Sequence, residues 1–281
     1  MPKRCQVLEK LSEQILYQVI KNRANDSHKG TYGRVLIIGG TKQFGGAVIM
    51  NALAAVNSGA GLVTVATDPI NFTAIHSHLP ETMVMDFNDD LTHAIQASDV
   101  ILIGSGLGDR LDIVKHTFSA VFAKQILIVD GSALTLVAEH HLPWPKSRLI
   151  LTPHQMEWQR LSGVSVEQQS FEAFNILARE KFIQKPIIVL KQFHTQVYTN
   201  KGIYELPIGG PYQATGGMGD TLAGIIAGFA AQFLLTPLID TTLAAVYSHS
   251  AIADELAHTQ YVTLPTQISA ALPRFMKRYA N

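Results

Sequence analysis

Residues 99–130, DVILIGSGLGDRLDIVKHTFSAVFAKQILIVD, contain one complete strand–helix–strand unit. The runs at its two ends, DVILIG and QILIVD, are almost continuously apolar, which is typical of strands that are buried on both faces of a sheet. Between them, residues 111–123 have the spacing of a helix. A strand, a helix and a strand in this order predict a crossover between parallel strands.

The same alternation continues on both sides of this unit, with further buried-strand runs at residues 34–39, 62–67, 148–152 and 186–191 and helical spacing at 46–59, 167–183 and 220–235. A hairpin is predicted for residues 195–200 and 202–207, around Asn200-Lys201-Gly202, and the chain from Asp220 onward has helical spacing throughout. We therefore predict an α/β protein in which helices cover both faces of a mainly parallel sheet. No linker or repeat interrupts residues 1–281, so one domain is expected.

The N-terminal segment, residues 1–28, is expected to form a helical extension, because Leu8, Leu11, Ile15, Leu16 and Val19 make an apolar stripe. Its default role is to pack on its own domain, and an oligomer contact is the alternative. The apolar stretch at residues 221–239 contains Gly224, Gly228 and Pro237 and is interpreted as a buried core helix rather than a membrane span. With no targeting signal found, the expected compartment is the cytoplasm.

The composition excludes several classes of protein. Lys plus Arg and Asp plus Glu both number 22 among 281 residues, and the mean hydropathy is +0.16. This balance argues against a general nucleic-acid binder, which needs a basic surface, and against disorder, which needs low hydrophobicity and high charge. A single cysteine, Cys5, excludes an internal disulfide framework and a cysteine-based zinc site.

Glycine and polar residues follow the predicted strands at five points: residues 39–47, 104–109, 130–132, 152–157 and Lys191. The carboxyl ends of parallel strands share one edge of a sheet, and ligands bind in the crevice outside that edge. Ordinary turns would account for one or two such segments. Five segments at the same edge of the sheet predict a ligand-binding cleft.

The strongest chemical signal is residues 214–220, ATGGMGD, at the start of the apolar helix. Closely spaced glycines let the backbone approach a ligand, and the positive end of the helix favours an anion, so the segment predicts a phosphate-binding anion hole. Asp220 beside it is a candidate base for a hydroxyl that attacks phosphorus. The alternative is that Asp220 only caps the helix.

The extended segment 214–224, ATGGMGDTLAG, resembles the signature of the ribokinase-like superfamily. Together with residues 39–67, the GSGLG turn, TPHQMEWQRLSG and VLKQFHTQVYT, it is similar to the ADP-dependent NAD(P)H-hydrate dehydratases, over about residues 29–257. The resemblance implies a three-layer α/β/α ribokinase-like fold. It also implies nucleotide-dependent dehydration, with ADP or ATP and Mg²⁺, of hydrated NADH and NADPH. The epimerase domain of the family is not found, so action on one epimer, the S form, is expected.

The resemblance also implies roles for individual residues. Substrate contacts are implied for Ala47, Gly106, Gly108, His154 and Asp220, with Asp220 as the catalytic group. Nucleotide contacts are implied for Lys191, Gln192, Phe193, His194, Thr195, Gly216, Gly217 and Gly219, and an indirect magnesium contact for Glu157. The sequence departs from the family pattern at Ser132, Gln192 and residues 211–213, which concerns the nucleotide site. Relatives of this kind assemble, so a homo-oligomer, a dimer or tetramer, is expected.

Simpler interpretations stay open for several of these residues. In these interpretations His154 is an ordinary strand-end histidine and Lys191 only extends its charge to solvent. Gly106 and Gly108 would then be glycines that a turn requires. Asp130 is either a helix cap or a water-mediated magnesium ligand.

Three other functions compete with the dehydratase. A small-metabolite kinase of the pyridoxal or hydroxymethylpyrimidine type keeps the fold, but such kinases usually carry Asn where this chain has His154. An NAD-dependent oxidoreductase is suggested by Gly39-Gly40 and Gly45-Gly46 with Asp68, but the spacing is not G-x-G-x-x-G and the segment at 214–220 is left without a role. A nucleotide-binding sensor without turnover is the third.

Overall fold

The structure is a computed structural model that describes residues 8–281; Cys5 lies outside them. Ten strands form one sheet in the order β1-β10-β9-β8-β7-β6-β5-β2-β3-β4. The strands are β1 (Leu8–Lys10), β2 (Arg34–Ile38), β3 (Leu62–Thr67), β4 (Met83–Asp86), β5 (Val100–Ile103), β6 (Ile126–Val129), β7 (Arg148–Leu151), β8 (Ile187–Leu190), β9 (Gln196–Tyr198) and β10 (Ile203–Glu205).

All neighbouring strands run parallel except the pairs β8–β9 and β9–β10, so the predicted hairpin is confirmed. The α-helices are α1 (Gln14–Val19), α2 (Gly45–Asn57), α3 (Phe72–His78), α4 (Thr92–Gln96), α5 (Leu111–Ala120), α6 (Gly131–Glu139), α7 (Gln155–Ser162), α8 (Glu172–Glu180), α9 (Met218–Gln232), α10 (Leu238–Ala257) and α11 (Pro265–Lys277).

The sheet lies between two layers of helices, because successive side chains of each buried strand point to opposite faces. On β2, Ile37 belongs to the core beneath α2, α9, α10 and α11, whereas Ile38 belongs to the core beneath α4, α5 and α6. Near α7 and α8, Trp158 packs with β8 and β9 in a third cluster. The predicted three-layer α/β/α architecture is confirmed.

The chain leaves the middle of the sheet in two directions. It runs from β2 outward to β3 and β4, and then returns to β5 on the other side of β2. Loops that leave the carboxyl ends of β2 and β5 therefore diverge, which opens a crevice between them. This switch point lies at residues 39–47 and 104–109, two of the glycine-rich segments that follow the predicted strands.

The N-terminal extension differs from the prediction of a helix. Leu8–Lys10 forms β1, paired parallel with Ile203–Glu205, and only Gln14–Val19 is α-helical. Strand β10 would otherwise present an unpaired edge, and pairing with that edge outweighs the helical period of the segment. Leu8 is consequently exposed, while the other members of the predicted stripe are buried: Leu11, Ile15, Leu16 and Val19.

The apolar stretch that begins at Thr221 is a core helix, as predicted. Every residue from Thr221 to Ala231 in α9 is buried between the sheet and helices α2 and α10. Within residues 8–281, no helix has both the length and the apolar character needed to cross a bilayer. The helix predicted for residues 167–183 is shorter, and α8 covers only Glu172–Glu180.

Candidate functional site

The glycine-rich segment forms the entry to α9. Gly217 is the N-cap residue and has a φ of 92°, a conformation that side chains other than glycine rarely adopt. In the part of the chain that the structure describes, no side chain caps this helix, so the amides of its first turn are free to bind an anion. The interpretation of Asp220 as the helix cap is therefore wrong, because Gly217 holds that position.

Two cavities meet at the start of α9. The large cavity, of about 770 Å³, is lined on one side by the loop after β8, from Lys191 to Thr195, and on another by Gly219. The small cavity, of about 360 Å³, is lined by Asp220. His154 lines both cavities. Consecutive residues of one helical turn thus face two different binding spaces.

The small cavity lies at the topological switch point. Its walls come from the start of α2, the turn after β5, and helices α6 and α7. Of the residues that the resemblance assigned to the substrate, Ala47, Gly106, His154 and Asp220 all line it, together with Glu157. The prediction of a cleft at the strand ends is confirmed, since these residues follow β2, β5 and β7 or begin α9.

Gly108, Gly216 and Gly217 line neither cavity. The amide of Gly108 donates a hydrogen bond to Ser132 Oγ at 3.2 Å, which fixes the turn rather than exposing it to a ligand. Gly216 is exposed beside the N-cap, and Gly217 shapes the turn into α9. These three glycines shape the loops around the cavities.

Asp220 has the electrostatic environment of a proton acceptor. Burial raises the pKa of its carboxyl to about 6, and the negative charge of Asp130 adds to the rise. The ammonium of Lys191 and a hydrogen bond from Ser105 oppose it. A carboxylate with this pKa is mostly ionised at neutral pH and is a stronger base than an ordinary aspartate.

Lys191, which lines the large cavity, forms an ion pair with Asp130, with Nζ 2.7 Å from Asp130 Oδ1. Asp130 is buried and also accepts hydrogen bonds from Thr152 Oγ1, at 2.7 Å, and Ser105 Oγ, at 3.3 Å. Burial alone would lower the pKa of Lys191, but the surrounding carboxylates, Asp130 foremost, raise it, so the ammonium stays charged. Asp130 occupies the N-cap position of α6, as one of the two alternatives predicted, but its side chain accepts no hydrogen bond from an amide of that helix.

The ammonium of Lys191 lies close to Gly219, in the first turn of α9, where the sequence predicts an anion hole. A Cβ atom placed on Gly219 would stand 3.1 Å from Lys191 Nζ, so a side chain at this position would crowd the ammonium and push it slightly away. A phosphate oxygen bound by the Gly219 amide would meet the ammonium as well. Lys191 therefore points at the cavity and does not simply extend to solvent.

His154 and Glu157 form a capping box at the start of α7. Nδ1 of His154 accepts from the amide of Glu157 at 3.3 Å, and Glu157 Oε2 accepts from the amide of His154 at 2.8 Å. Burial, followed by the charge of Lys191, lowers the pKa of His154, so the ring is neutral at neutral pH. Burial raises the pKa of Glu157 to about 7, which makes it a poor direct ligand for a cation.

Several lining residues were not assigned a ligand contact from the sequence. Gln213, His249 and Ser250 form the far wall of the large cavity, and Phe44, Ser105, Ser132, Thr135 and Arg160 belong to the small one. His249 and Ser250 lie within the buried helix α10, where nothing in the local pattern separates a cavity wall from the core. Ser105 carried a usable signal, since it follows β5 within the GSGLG turn.

A metal cage made of protein ligands is not found. Among residues 8–281, no cluster of three or more His, Cys, Asp or Glu side chains has the arrangement of a metal site. Mg²⁺ commonly keeps several waters and binds phosphates through only one or two protein groups. The site is thus compatible with magnesium that arrives with a nucleotide.

Comparison with known proteins gives a consistent result. A Streptococcus pneumoniae protein named ADP-dependent (S)-NAD(P)H-hydrate dehydratase is 50% identical over 274 residues, which cover 95% of this chain and 94% of that one. The crystal structure of a ribokinase-like superfamily protein from Enterococcus faecalis superposes with a TM-score of 0.94 at 46% identity, covering 100% of this chain and 99% of that one. The ribokinase-like fold is confirmed.

A second solved structure is the Bacillus subtilis ADP/ATP-dependent NAD(P)H-hydrate dehydratase co-crystallised with ATP and Mg²⁺. It superposes with a TM-score of 0.84 at 30% identity, covering 97% of this chain and 99% of that one. The sequence profile described as NAD(P)H-hydrate dehydratase matches residues 35–274, which include both cavities and the whole of α9. On this match and these relatives, the chain belongs to the NAD(P)H-hydrate dehydratase family.

Proposed function

We propose that this chain repairs hydrated NADH and NADPH by dehydrating the S epimer at the expense of ADP. One observation carries the proposal: Gly219 and Asp220, consecutive residues of α9, line different cavities. A nucleotide phosphate at the Gly219 amide would then lie beside a substrate hydroxyl at the Asp220 carboxylate. This juxtaposition suits phosphoryl transfer from one ligand to the other.

The first chemical step makes a leaving group. In the hydrated substrate, water has added at ring carbon 6, and hydroxide leaves poorly. Asp220, with a pKa of about 6, accepts the hydroxyl proton as the oxygen attacks the terminal phosphorus of ADP and AMP departs. The amides at the start of α9 and the Lys191 ammonium stabilise the charge that develops on the phosphoryl oxygens.

The second step regenerates the cofactor. The lone pair of the ring nitrogen expels the phosphate with the electrons of the C6–O bond, and loss of a proton from C5 restores the dihydropyridine. The products are NADH or NADPH, AMP and phosphate. The small cavity holds the reacting ring beside Asp220 and the neutral His154, whose ring nitrogen can orient it by hydrogen bonding.

Magnesium would be held mainly by the nucleotide phosphates and by water. When bound, it supplies positive charge to the transferring phosphoryl group. Glu157 would act on it indirectly through water, because its Oε2 already accepts the His154 amide and its pKa is raised to about 7.

The decisive experiment incubates the chain with S-hydrated NADH, ADP and Mg²⁺ and follows the absorbance of regenerated NADH. We expect turnover by the natural chain and a loss of about a hundred-fold or more in kcat for Asp220→Asn, since this removes the general base. Binding of ADP to Asp220→Asn, measured by calorimetry, should survive. Accumulation of a stable phosphorylated product would instead indicate a small-metabolite kinase, and near-normal turnover by the variant would contradict the role of Asp220.

Two further expectations stay predictions. The resemblance predicts a homo-oligomer, which light scattering after size-exclusion chromatography tests. The sequence predicts one domain, which a single unfolding transition followed by two independent probes would support.

A further inference from the structure

The small cavity contains one permanently positive side chain. Of the residues that line it, Asp220, Glu157, His154 and Arg160 can carry charge. His154 has a lowered pKa and is neutral, and the carboxyls of Asp220 and Glu157 can only be negative or neutral. The positive end of the small cavity is therefore the guanidinium of Arg160, in the last turn of α7.

Within residues 8–281, the guanidinium of Arg160 lies within hydrogen-bond or ion-pair distance of no other group, although its charge acts on the neighbouring Glu157 and His154. The arginines with structural roles are satisfied: Arg179 donates to the Pro186 and Lys185 carbonyls, and Arg278 pairs with Glu255. Arg160 instead ends at the cavity wall, exposed, with its donors free. A planar guanidinium with free donors is well suited to bind a phosphate, often through two parallel hydrogen bonds.

Two hydroxyl groups on α6 share the wall with Arg160. Ser132 Oγ accepts the Gly108 amide at 3.2 Å, so its own proton is free to be donated, and Thr135 lies one turn further along the helix. A phosphate group at this wall would meet donors from both helices. The negative charge of Asp220 would repel a phosphate group and so favour its binding at the wall formed by α6 and α7.

From these observations, and resting on the proposed function, we propose that Arg160 binds a phosphate group of the hydrated dinucleotide and so orients its ring toward Asp220. The shared chemistry is a phosphate on the dinucleotide, and it has two sources. One is the diphosphate bridge, present in both NADH and NADPH. The other is the 2′-phosphate, present only in NADPH.

The test compares Arg160→Gln with Arg148→Gln, a matched control at the opposite end of β7, where Arg148 is exposed and lines neither cavity. Loss of one charge-assisted contact is expected to raise the KM for the hydrated dinucleotide about tenfold to hundredfold, with the KM for ADP changed less than about twofold. Arg160→Lys should restore part of the loss. If the KM values for hydrated NADH and hydrated NADPH rise equally, Arg160 binds the diphosphate bridge. If only the KM for hydrated NADPH rises, Arg160 binds the 2′-phosphate.

The inference is overturned if Arg160→Gln leaves both dinucleotide KM values unchanged, if the control variant shows the same rise, or if the KM for ADP rises equally. Failure of the proposed function has a different signature, namely no turnover by the natural chain. In that case the affinities for NADH and NADPH, measured by calorimetry, decide: weaker binding to Arg160→Gln than to Arg148→Gln supports the inference, and equal binding overturns it.

Discussion

The substitution Asp130→Asn tests how the two cavities are coupled. Asp130 is buried and accepts hydrogen bonds from Lys191, Thr152 and Ser105. Asparagine has the same shape, and its amide oxygen can still accept from Lys191 and Thr152, so the fold should survive. What the substitution removes is the negative charge that lies near both Lys191 and Asp220.

The direction of the effect follows from the charges around Asp220. Its pKa is about 6 instead of 3.8 because of burial and, after burial, Asp130. Without that negative charge the ionised form of Asp220 is favoured, and we take the fall in pKa as about one unit, equivalent to roughly 1.4 kcal/mol. At pH 5.5 a fall of this size would raise the ionised fraction of Asp220 from about a quarter to about three quarters.

The assay is kcat/KM for hydrated NADH between pH 5 and pH 8 at a fixed concentration of ADP, because kcat/KM reports the pKa of Asp220 before that substrate binds. The acid limb should move to lower pH, and the ratio of kcat/KM at pH 5.5 to kcat/KM at pH 8 should increase about threefold. The plateau itself should fall about tenfold, because Asp220 becomes a weaker base and Lys191 loses its anchor. Thr152→Val, which removes a hydrogen bond from the same carboxylate but no charge, should leave the limb near its original position. An acid limb in Asp130→Asn that stays in place or moves to higher pH would refute this account of Asp220.

Three other substitutions test the site. Lys191→Ala should weaken ADP binding by about tenfold or more, because a charge-assisted phosphate contact is lost; calorimetry showing unchanged affinity would count against that contact. Glu157 has a pKa of about 7 in the fold against 4.5, so between these pH values the folded state holds the proton that the unfolded state has lost. The free energy of unfolding of the natural chain should therefore fall, relative to Glu157→Gln, by roughly 1–3 kcal/mol from pH 5 to pH 8, which denaturant titrations can measure, with Glu139→Gln at an exposed position as the control variant. Gly217→Ala should lower the free energy of unfolding by about 1–2 kcal/mol and raise the KM for ADP, because φ is 92° and a Cβ would strike Met50. Gly216→Ala is the control, because the space around Gly216 is open, and it should change neither quantity. Thermal unfolding and steady-state kinetics measure the two effects.

The sequence was sufficient to locate most of the sheet. Strands β2, β3, β5, β6, β7 and β8 lie within a residue or two of their predicted bounds, because strands buried on both faces give unbroken apolar runs. Strand β4, Met83–Asp86, was missed, since it is a short edge strand with a polar end. Strand β1 was missed because it exists only through its pairing with β10.

The candidate site was predicted where its residues form a local pattern and missed where they meet only in the folded chain. The anion hole is continuous in sequence, and the strand-end glycines lie at one sheet edge by topology alone. The Lys191–Asp130 pair joins residues 61 positions apart, so neither residue shows its partner in the sequence. Arg160 lies in the last turn of α7, a position with no distinctive sequence pattern, and only the cavity beside it indicates a role in binding.

The seam between α2 and α9 limits how the two ligands can be brought together. Gly224 of α9 packs so closely on Asn51 and Ala54 that a methyl group at this position would strike the α2 backbone, and Asn51 Nδ2 donates to the Asp220 carbonyl at 2.7 Å. The helix that carries Asp220 and the helix whose start borders the small cavity therefore behave as one stiff block. Any closing movement during turnover must come from the loops around this block. A mutation that loosens the contact between α2 and α9 should therefore lower both kcat and the melting temperature.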